Sequence, residues 1–332
     1  MRAVVVVLWA LWVFTGCSQH NESSPPQVPL ESRNITVAYT TQPQSTLIHV
    51  AVAKGFFAEE GLQVQSLLHT FGKASLQSLL NHQADIATVA ETPIMFSVLK
   101  GEQIAVIATV EASTRNNGVV GRRDAGIRSA GDLKSKRIGY TPGTTSDFFL
   151  DSMLTSAGLT RAETTPVALK PQEMQDALVA KTVDAVSTWN FPLSQIQQVL
   201  GSNALLIYDK EVYTETYNVV TQQSFLQAQP ETIKRFLRAM LKAETYTARN
   251  RDEVQRLMSD ATQTDIDLVR EVWDVFSYHV VLDQAILLTL EDETRWAMRN
   301  KLTDQTVMPD FRKYIHTGSL RSLKPEAVKL NW

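Results

Sequence analysis

The sequence predicts an α/β fold with mostly parallel sheets. Three observations carry that prediction. Short β-branched runs alternate with amphipathic helical patterns from Asn34 to Gln222. Turn signals such as Thr40-Thr41-Gln42-Pro43 and Pro142-Gly143 fall where those runs end. From Pro230 onward the pattern becomes almost wholly helical, as expected of a segment that wraps a finished core.

Taken in order, residues 34–39 alternate around Ile35 and Val37 and read as a strand. Residues 45–54 read as a helix, with Leu47, Ile48, Ala51 and Val52 in register. A strand over 62–68, a helix over 73–81 and the apolar strand Asp85-Ile86-Ala87-Thr88-Val89 follow. A helix over 93–100 and a strand over 104–110 complete this unit. The middle of the chain repeats the theme, with strands at 118–121, 137–140, 165–168, 183–187, 205–208 and 217–220. Helices lie between them at 129–133, 146–159 and 171–180. Pro230 sits where a first-turn proline belongs. Beyond it, Ile233, Phe236, Leu237, Met240 and Leu241 form one apolar stripe, and Ile266, Val269, Trp273 and Phe276 another; both are core-packing faces.

A length of 332 residues suggests two compact units, and 44% hydrophobic with 20% charged residues supports a sizeable core. A net charge of -3, with no basic stripe interleaved with aromatics, argues against nucleic acid as a partner. A single cysteine excludes zinc-finger spacing, so no metal site is expected. No glycine-rich loop of Walker or Rossmann spacing appears, so no nucleotide cofactor is expected. No Ser-His-Asp arrangement is arguable from the scattered histidines, and the chain is not read as an enzyme.

The N-terminus carries an address. Arg2 precedes an apolar run from Ala3 to Phe14, which has the length of a signal-peptide core. Val13-Phe14-Thr15-Gly16-Cys17 resembles a bacterial lipobox, with Phe14 where leucine is usual. That resemblance implies removal of residues 1–16 and a diacylglycerol on Cys17, hence a membrane anchor. An ordinary secretory signal with an incidental cysteine is the alternative. Residues 17–33, rich in Ser and Pro, read as a flexible tether.

Residues 136–150 stand out as a candidate ligand site. Gly143-Thr144-Thr145-Ser146 falls directly after a strand and at the start of a helix. Backbone N–H groups and hydroxyls there suit an anion; the plain alternative is an ordinary N-cap at Thr145 or Ser146. Asp147 in the same first turn is expected to complement the helix dipole from the solvent side.

Three segments carry a family likeness. Residues 51–62, Ala-Val-Ala-Lys-Gly-Phe-Phe-Ala-Glu-Glu-Gly-Leu, resemble a signature of bacterial solute-binding proteins of the nitrate, sulfonate, taurine and pyrimidine-precursor importers of the ABC class. Gln83-Ala84-Asp85-Ile86-Ala87 is similar to that family's Gly/Gln-x-Asp-Ile strand. Residues 132–139, Asp-Leu-Lys-Ser-Lys-Arg-Ile-Gly, resemble its approach to the ligand-binding helix. The likeness runs essentially from Ile35 to Val328. It implies a two-lobed periplasmic-binding-protein fold of type II, each lobe an α/β sandwich, with the ligand in the cleft. Lobe 1 is expected over 34–117 plus 222–332 and lobe 2 over 118–221. A fungal-type pyrimidine synthase shares the fold, but its cysteine-rich motif is absent here, since Cys17 stands alone.

Ligands in such folds collect at the C-terminal ends of strands. The strand exits supply Thr41 and Gln42, Glu91 and Thr92, Arg115, Thr144, Thr145 and Ser146, Trp189 and Asn190, and Asn218. The set suits a small anion or zwitterion. Arg115 either pairs an oxyanion or lies solvated on its loop. Glu91 either faces the pocket, favouring an amine-bearing zwitterion, or caps the helix starting near Pro93. The implied role is capture of an oxyanion-bearing solute (a sulfonate, a taurine-like compound, nitrate or a relative) by a monomer that delivers it to an ABC permease and ATPase. The alternatives are a binding protein that reports to a membrane signalling kinase, and a pyrimidine-precursor binder.

Overall fold

A computed structural model describes Glu31 and residues 33–330 of the protein. The expected signal segment, Cys17 and the tether up to Leu30 lie outside the described residues. Ten strands are present among those residues: β1 (Asn34–Thr40), β2 (Gln63–His69), β3 (Ile86–Ala90), β4 (Ile104–Ser113), β5 (Asn117–Arg122), β6 (Arg137–Tyr140), β7 (Thr165–Ala168), β8 (Ala185–Trp189), β9 (Ala204–Ile207) and β10 (Glu215–Gln222). They form two five-stranded sheets, ordered β2-β1-β3-β10-β4 and β7-β6-β8-β5-β9.

The two sheets share one plan. In the first, β1 pairs in parallel with β2 and β3, while β10 runs antiparallel to β3 and β4. In the second, β6 pairs in parallel with β7 and β8, while β5 runs antiparallel to β8 and β9. Each sheet therefore has four strands in one direction and one reversed. The reversed strand is the one that arrives from the other sheet. The chain leaves the first sheet after Ser113 and enters the second at Asn117; it leaves the second after Ile207 and returns at Glu215. β10 pairs with β4 from its first residue, Glu215 opposite Ser113, and with β3 from Tyr217, which lies opposite Ala90.

Burial follows the sheet positions. All five residues of β3 are buried, as a central strand covered on both faces requires. β7 is mostly exposed and holds Pro166, an edge position where a missing N–H costs little.

The helices that matter for packing and for the site are α1 (Thr46–Ala53), α2 (Phe56–Glu59), α3 (Gly72–Leu80), α4 (Glu91–Leu99) and α5 (Thr145–Ser156). Two more, α6 (Pro230–Arg249) and α7 (Gln284–Arg299), belong to the C-terminal wrap. The stripe predicted after Pro230 is real: Ile233, Phe236, Leu237 and Met240 on α6 are fully buried. The second stripe changes form. Its helix ends at Val272, Trp273 begins a 3-10 turn, and Phe276 is extended, yet Val269, Trp273 and Phe276 are all buried.

Phe236 stacks on Phe57 with ring centroids 5.1 Å apart, joining α6 to α2. Replacing a buried phenylalanine with alanine removes its burial and leaves a cavity, at about 3–5 kcal/mol. Phe236→Ala is expected to lower unfolding free energy by that amount in urea titrations followed by circular dichroism.

Candidate ligand-binding site

The strand directions bring polar residues together between the two sheets. The forward strands β1, β3, β6 and β8 end there, and the reversed strands β5 and β10 begin there. A cavity of about 30 Å³ lies at this junction, lined by Gln42, Gln44, Phe71, Gly72, Lys73, Ala90, Pro93, Thr144, Thr145, Trp189, Glu215 and Tyr217. As it stands, it has room for about two waters.

Glu215, the first residue of β10, is the acidic group on this wall and is 1% exposed. Its carboxylate accepts hydrogen bonds from Asn116 Nδ2 at 2.8 Å, from Gln44 Nε2 at 3.4 Å and from Asn117 Nδ2. The Thr145 hydroxyl also bonds it. Burial raises its pKa, and the bonds from Asn117, Asn116, Gln44 and Thr145 pull the other way. Gln42 directs its amide N–H to Thr70 O at 3.1 Å, and Gln44 directs its own to Glu215. With their donors so oriented, the Gln42 Oε1 and Gln44 Oε1 acceptors are buried without a partner among the described residues.

Aromatic residues line the cavity as well. Trp189 and Tyr217 are 5% and 3% exposed, and the Tyr217 hydroxyl is bonded to Thr40 Oγ1 at 3.2 Å. Burial pushes the Tyr217 phenol up to about 12. Gly72 is needed beside it, since a Cβ there would stand 2.9 Å from the Tyr217 hydroxyl and 3.1 Å from Val89 Cα.

The helix terminus is only partly available. Thr144 and Thr145 line the cavity. Thr144 Oγ1 donates to Thr141 O at 2.7 Å. Ser146 is fully buried: its hydroxyl donates to Ser187 O at 2.7 Å and accepts from the Thr141 N–H at 3.1 Å. Ser146 thus ties α5 to β8 and does not face the cavity. Asp147 is buried as well, contrary to the solvent-facing expectation. It pairs with Arg161 at 2.7 Å and accepts from the Gly143 N–H at 2.8 Å.

Several other sequence candidates lie away from the cavity. Arg115 is exposed, its guanidinium donates to Asp274 O at 2.6 Å, and it does not line the cavity. Glu91 opens α4 fully buried. It accepts from the Tyr213 hydroxyl, from Thr216 N at 2.9 Å and from Thr216 Oγ1 at 3.1 Å. Its carboxylate thus neither lines the cavity nor faces solvent. Thr92 donates its hydroxyl to Glu293 on α7. Asn218 is held within the first sheet by Thr109 and Thr216. Asn190 accepts from Ser194 Oγ at 3.3 Å and donates its N–H to Asn116 O at 3.1 Å, which helps to place Asn116. Thr41 borders a polar recess of about 340 Å³ outside the cavity, which Gln42 also lines. Among the described residues no group of three or more metal-ligating side chains occurs.

Sequence reasoning missed Gln44, Phe71, Lys73 and Glu215 on the cavity wall. The available signal for Glu215 was an acidic residue at the start of a run that reads as a strand.

A family model described as NMT1/THI5 like matches residues 42–254. A protein of Bacillus subtilis (strain 168), provisionally named an aliphatic sulfonates-binding protein, is 23% identical over 312 residues, covering 92% of each chain. A 4-amino-5-hydroxymethyl-2-methylpyrimidine phosphate synthase of Legionella pneumophila is 24% identical over 242 residues, covering 70% of this chain and 74% of its own. Among solved structures, the periplasmic aliphatic sulphonate binding protein SsuA from Escherichia coli superposes with a TM-score of 0.73 at 16% identity. It covers 85% of this chain and 97% of that one, a likeness of fold.

Glu215 on the cavity wall and the buried Glu91 and Glu293 act on one another. Burial, then the charges of Glu293 and Glu215, raise Glu91 well above its ordinary value. Burial, opposed by the Thr92 bond and aided by the Glu215 charge, raises Glu293 well above its own. A carboxyl raised in the folded state costs nothing below its unfolded value of about 4.3 and progressively more as pH rises toward the folded value. Glu293→Gln removes that cost. The melting temperature of the variant relative to wild type is expected to be more favourable at pH 8 than at pH 5; parallel curves would exclude the effect.

Proposed function

Because this chain belongs to the NMT1/THI5-like family, we propose that it is the solute-binding protein of an ABC importer and that its ligand carries N–H donors. One observation supports the second part: Gln42, Gln44 and Glu215 all line the cavity, and Gln42 Oε1 and Gln44 Oε1 are buried acceptors without a partner among the described residues. Buried acceptors are costly unless a donor meets them. Micromolar capture needs about 8 kcal/mol, and a hydrogen bond to a charged group contributes about 1.5–3 kcal/mol. Ring packing against Trp189 and Phe71 therefore has to contribute, which favours a compact planar ring bearing an amino group. A second reading, a simple sulfonate or nitrate, is supported by Thr144 and Thr145 at the start of α5 and by Lys73 on the same wall.

The lobes of this reading are residues 34–113 with 215–330, and 117–207. Segments 114–116 and 208–214 serve as the hinges about which they part to admit a ring larger than the cavity as it stands, and then close over it. Export and anchoring rest on the apolar run before Thr15-Gly16-Cys17. Cys17→Ser is expected to move the protein from the membrane fraction to the soluble fraction; unchanged membrane association would exclude lipidation at that cysteine.

Calorimetric titration with 4-amino-5-hydroxymethyl-2-methylpyrimidine, taurine, methanesulfonate and nitrate separates the two ligand readings. The aminopyrimidine is expected to bind most tightly, and Glu215→Gln to weaken it about 10- to 100-fold, the loss of one charge-assisted hydrogen bond. Tight binding of methanesulfonate or nitrate, insensitive to Glu215→Gln, would favour the simple oxyanion instead.

A further inference from the structure

The two lobes also meet through a buried contact that involves no cavity residue. Trp296 of α7 belongs to the first lobe and Asp151 of α5 to the second, and the indole N–H donates to the Asp151 carboxylate at 2.7 Å. The Trp296 ring meets Phe148 of α5 edge-on at 5.3 Å and Phe96 of α4 at 5.9 Å, so it touches an aromatic ring of each lobe. Trp296, Phe148 and Asp151 are all buried. On its own side Asp151 is held by Arg161 at 2.6 Å, and that guanidinium also pairs with Asp147 and covers the Tyr140 ring. The acceptor is thus fixed by its own lobe, independently of Trp296.

The donor is fixed in the same way. One turn earlier on α7, Glu293 accepts from the Thr92 hydroxyl on α4, a bond within the first lobe that seats α7. None of Trp296, Phe148, Asp151 and Arg161 lines the cavity, so the contact forms from groups of this chain alone, with no ligand atom in it. Parting the lobes would return the indole and the Phe148 ring to water and break a hydrogen bond to a charged acceptor. Both losses oppose opening.

We propose that the Trp296–Asp151 bond and the Phe148 contact form a clasp that holds the unliganded protein closed. Closure in this chain then precedes the solute, and the clasp has to release before a solute enters or leaves. It sets the rates of capture and release without touching what is captured. This rests on the division into two hinged lobes and is indifferent to the class of solute.

Single-molecule energy transfer between dyes on Gln65→Cys and Val199→Cys, in the full chain carrying Cys17→Ser, reads the distance between the lobes with no ligand added. Both labelled positions are exposed, one on β2 and the other on the helix after β8. Gly143→Trp supplies the open reference, because even a Cβ at Gly143 would stand 3.0 Å from Lys73 Nζ across the junction. The parent protein is expected to show mainly the closed distance. Trp296→Phe, which keeps a ring and loses the N–H, and Asp151→Asn are each expected to raise the open-to-closed ratio about 10- to 100-fold. Arg295→Gln, on the exposed face of α7, is expected to leave it unchanged. Melting followed by circular dichroism checks that each variant is folded. A mainly open parent protein, or a ratio unmoved by Trp296→Phe and Asp151→Asn while Gly143→Trp opens the molecule, overturns the clasp and leaves the hinged lobes standing. A response to Trp296→Phe alone overturns the role of the bond to Asp151. One distance in every variant, Gly143→Trp included, overturns the lobe division and the clasp with it.

Discussion

The burial of the Glu215 carboxylate is the constraint around which the cleft is arranged. An ionised carboxyl taken from water costs several kcal/mol unless its oxygens are hydrogen-bonded. The donors come from separate parts of the chain: Gln44 follows β1, Asn116 and Asn117 stand where the chain enters the second sheet, and Thr145 opens α5. One buried acid therefore links both sheets and a crossing segment. Moving any of these parts changes the environment of Glu215, so its bonding and the disposition of the sheets are coupled.

Other contacts tie α7 to α5. Trp296 on α7 donates its indole N–H to Asp151 on α5 at 2.7 Å, and the Phe148 ring meets Trp296 edge-on at 5.3 Å. Phe148 also meets Tyr213, which in turn donates to Glu91. The buried acid Glu91 and these aromatics thus belong to one connected network. Arg161 holds Asp151 at 2.6 Å, a cation partner that Glu215 lacks.

Much of the fold was legible because periodicity reports burial. The Asp85–Val89 run and the Pro230 stripe were read from their apolar spacing, and both occupy buried positions. The site was less legible for a geometric reason. Searching the ends of strands finds Gln42, Thr144 and Trp189, because forward strands end at the cleft. It overlooks Glu215, because β10 is reversed and meets the cleft with its first residue. The same search selects Asn218, which lies further along that reversed strand and bonds within the sheet. Arg115 shows a different limit. Its charge suits an oxyanion, but the direction of a loop side chain is decided by its carbonyl partner at Asp274, which spacing does not reveal.

The proposed ligand is a solute with N–H donors, selected by a carboxylate and two glutamine acceptors. Native mass spectrometry of the protein purified from its own cells, followed by identification of the released small molecule, tests this selection. An amino-bearing compound is expected. Release of a simple alkylsulfonate or of nitrate, with no donor nitrogen, would contradict it.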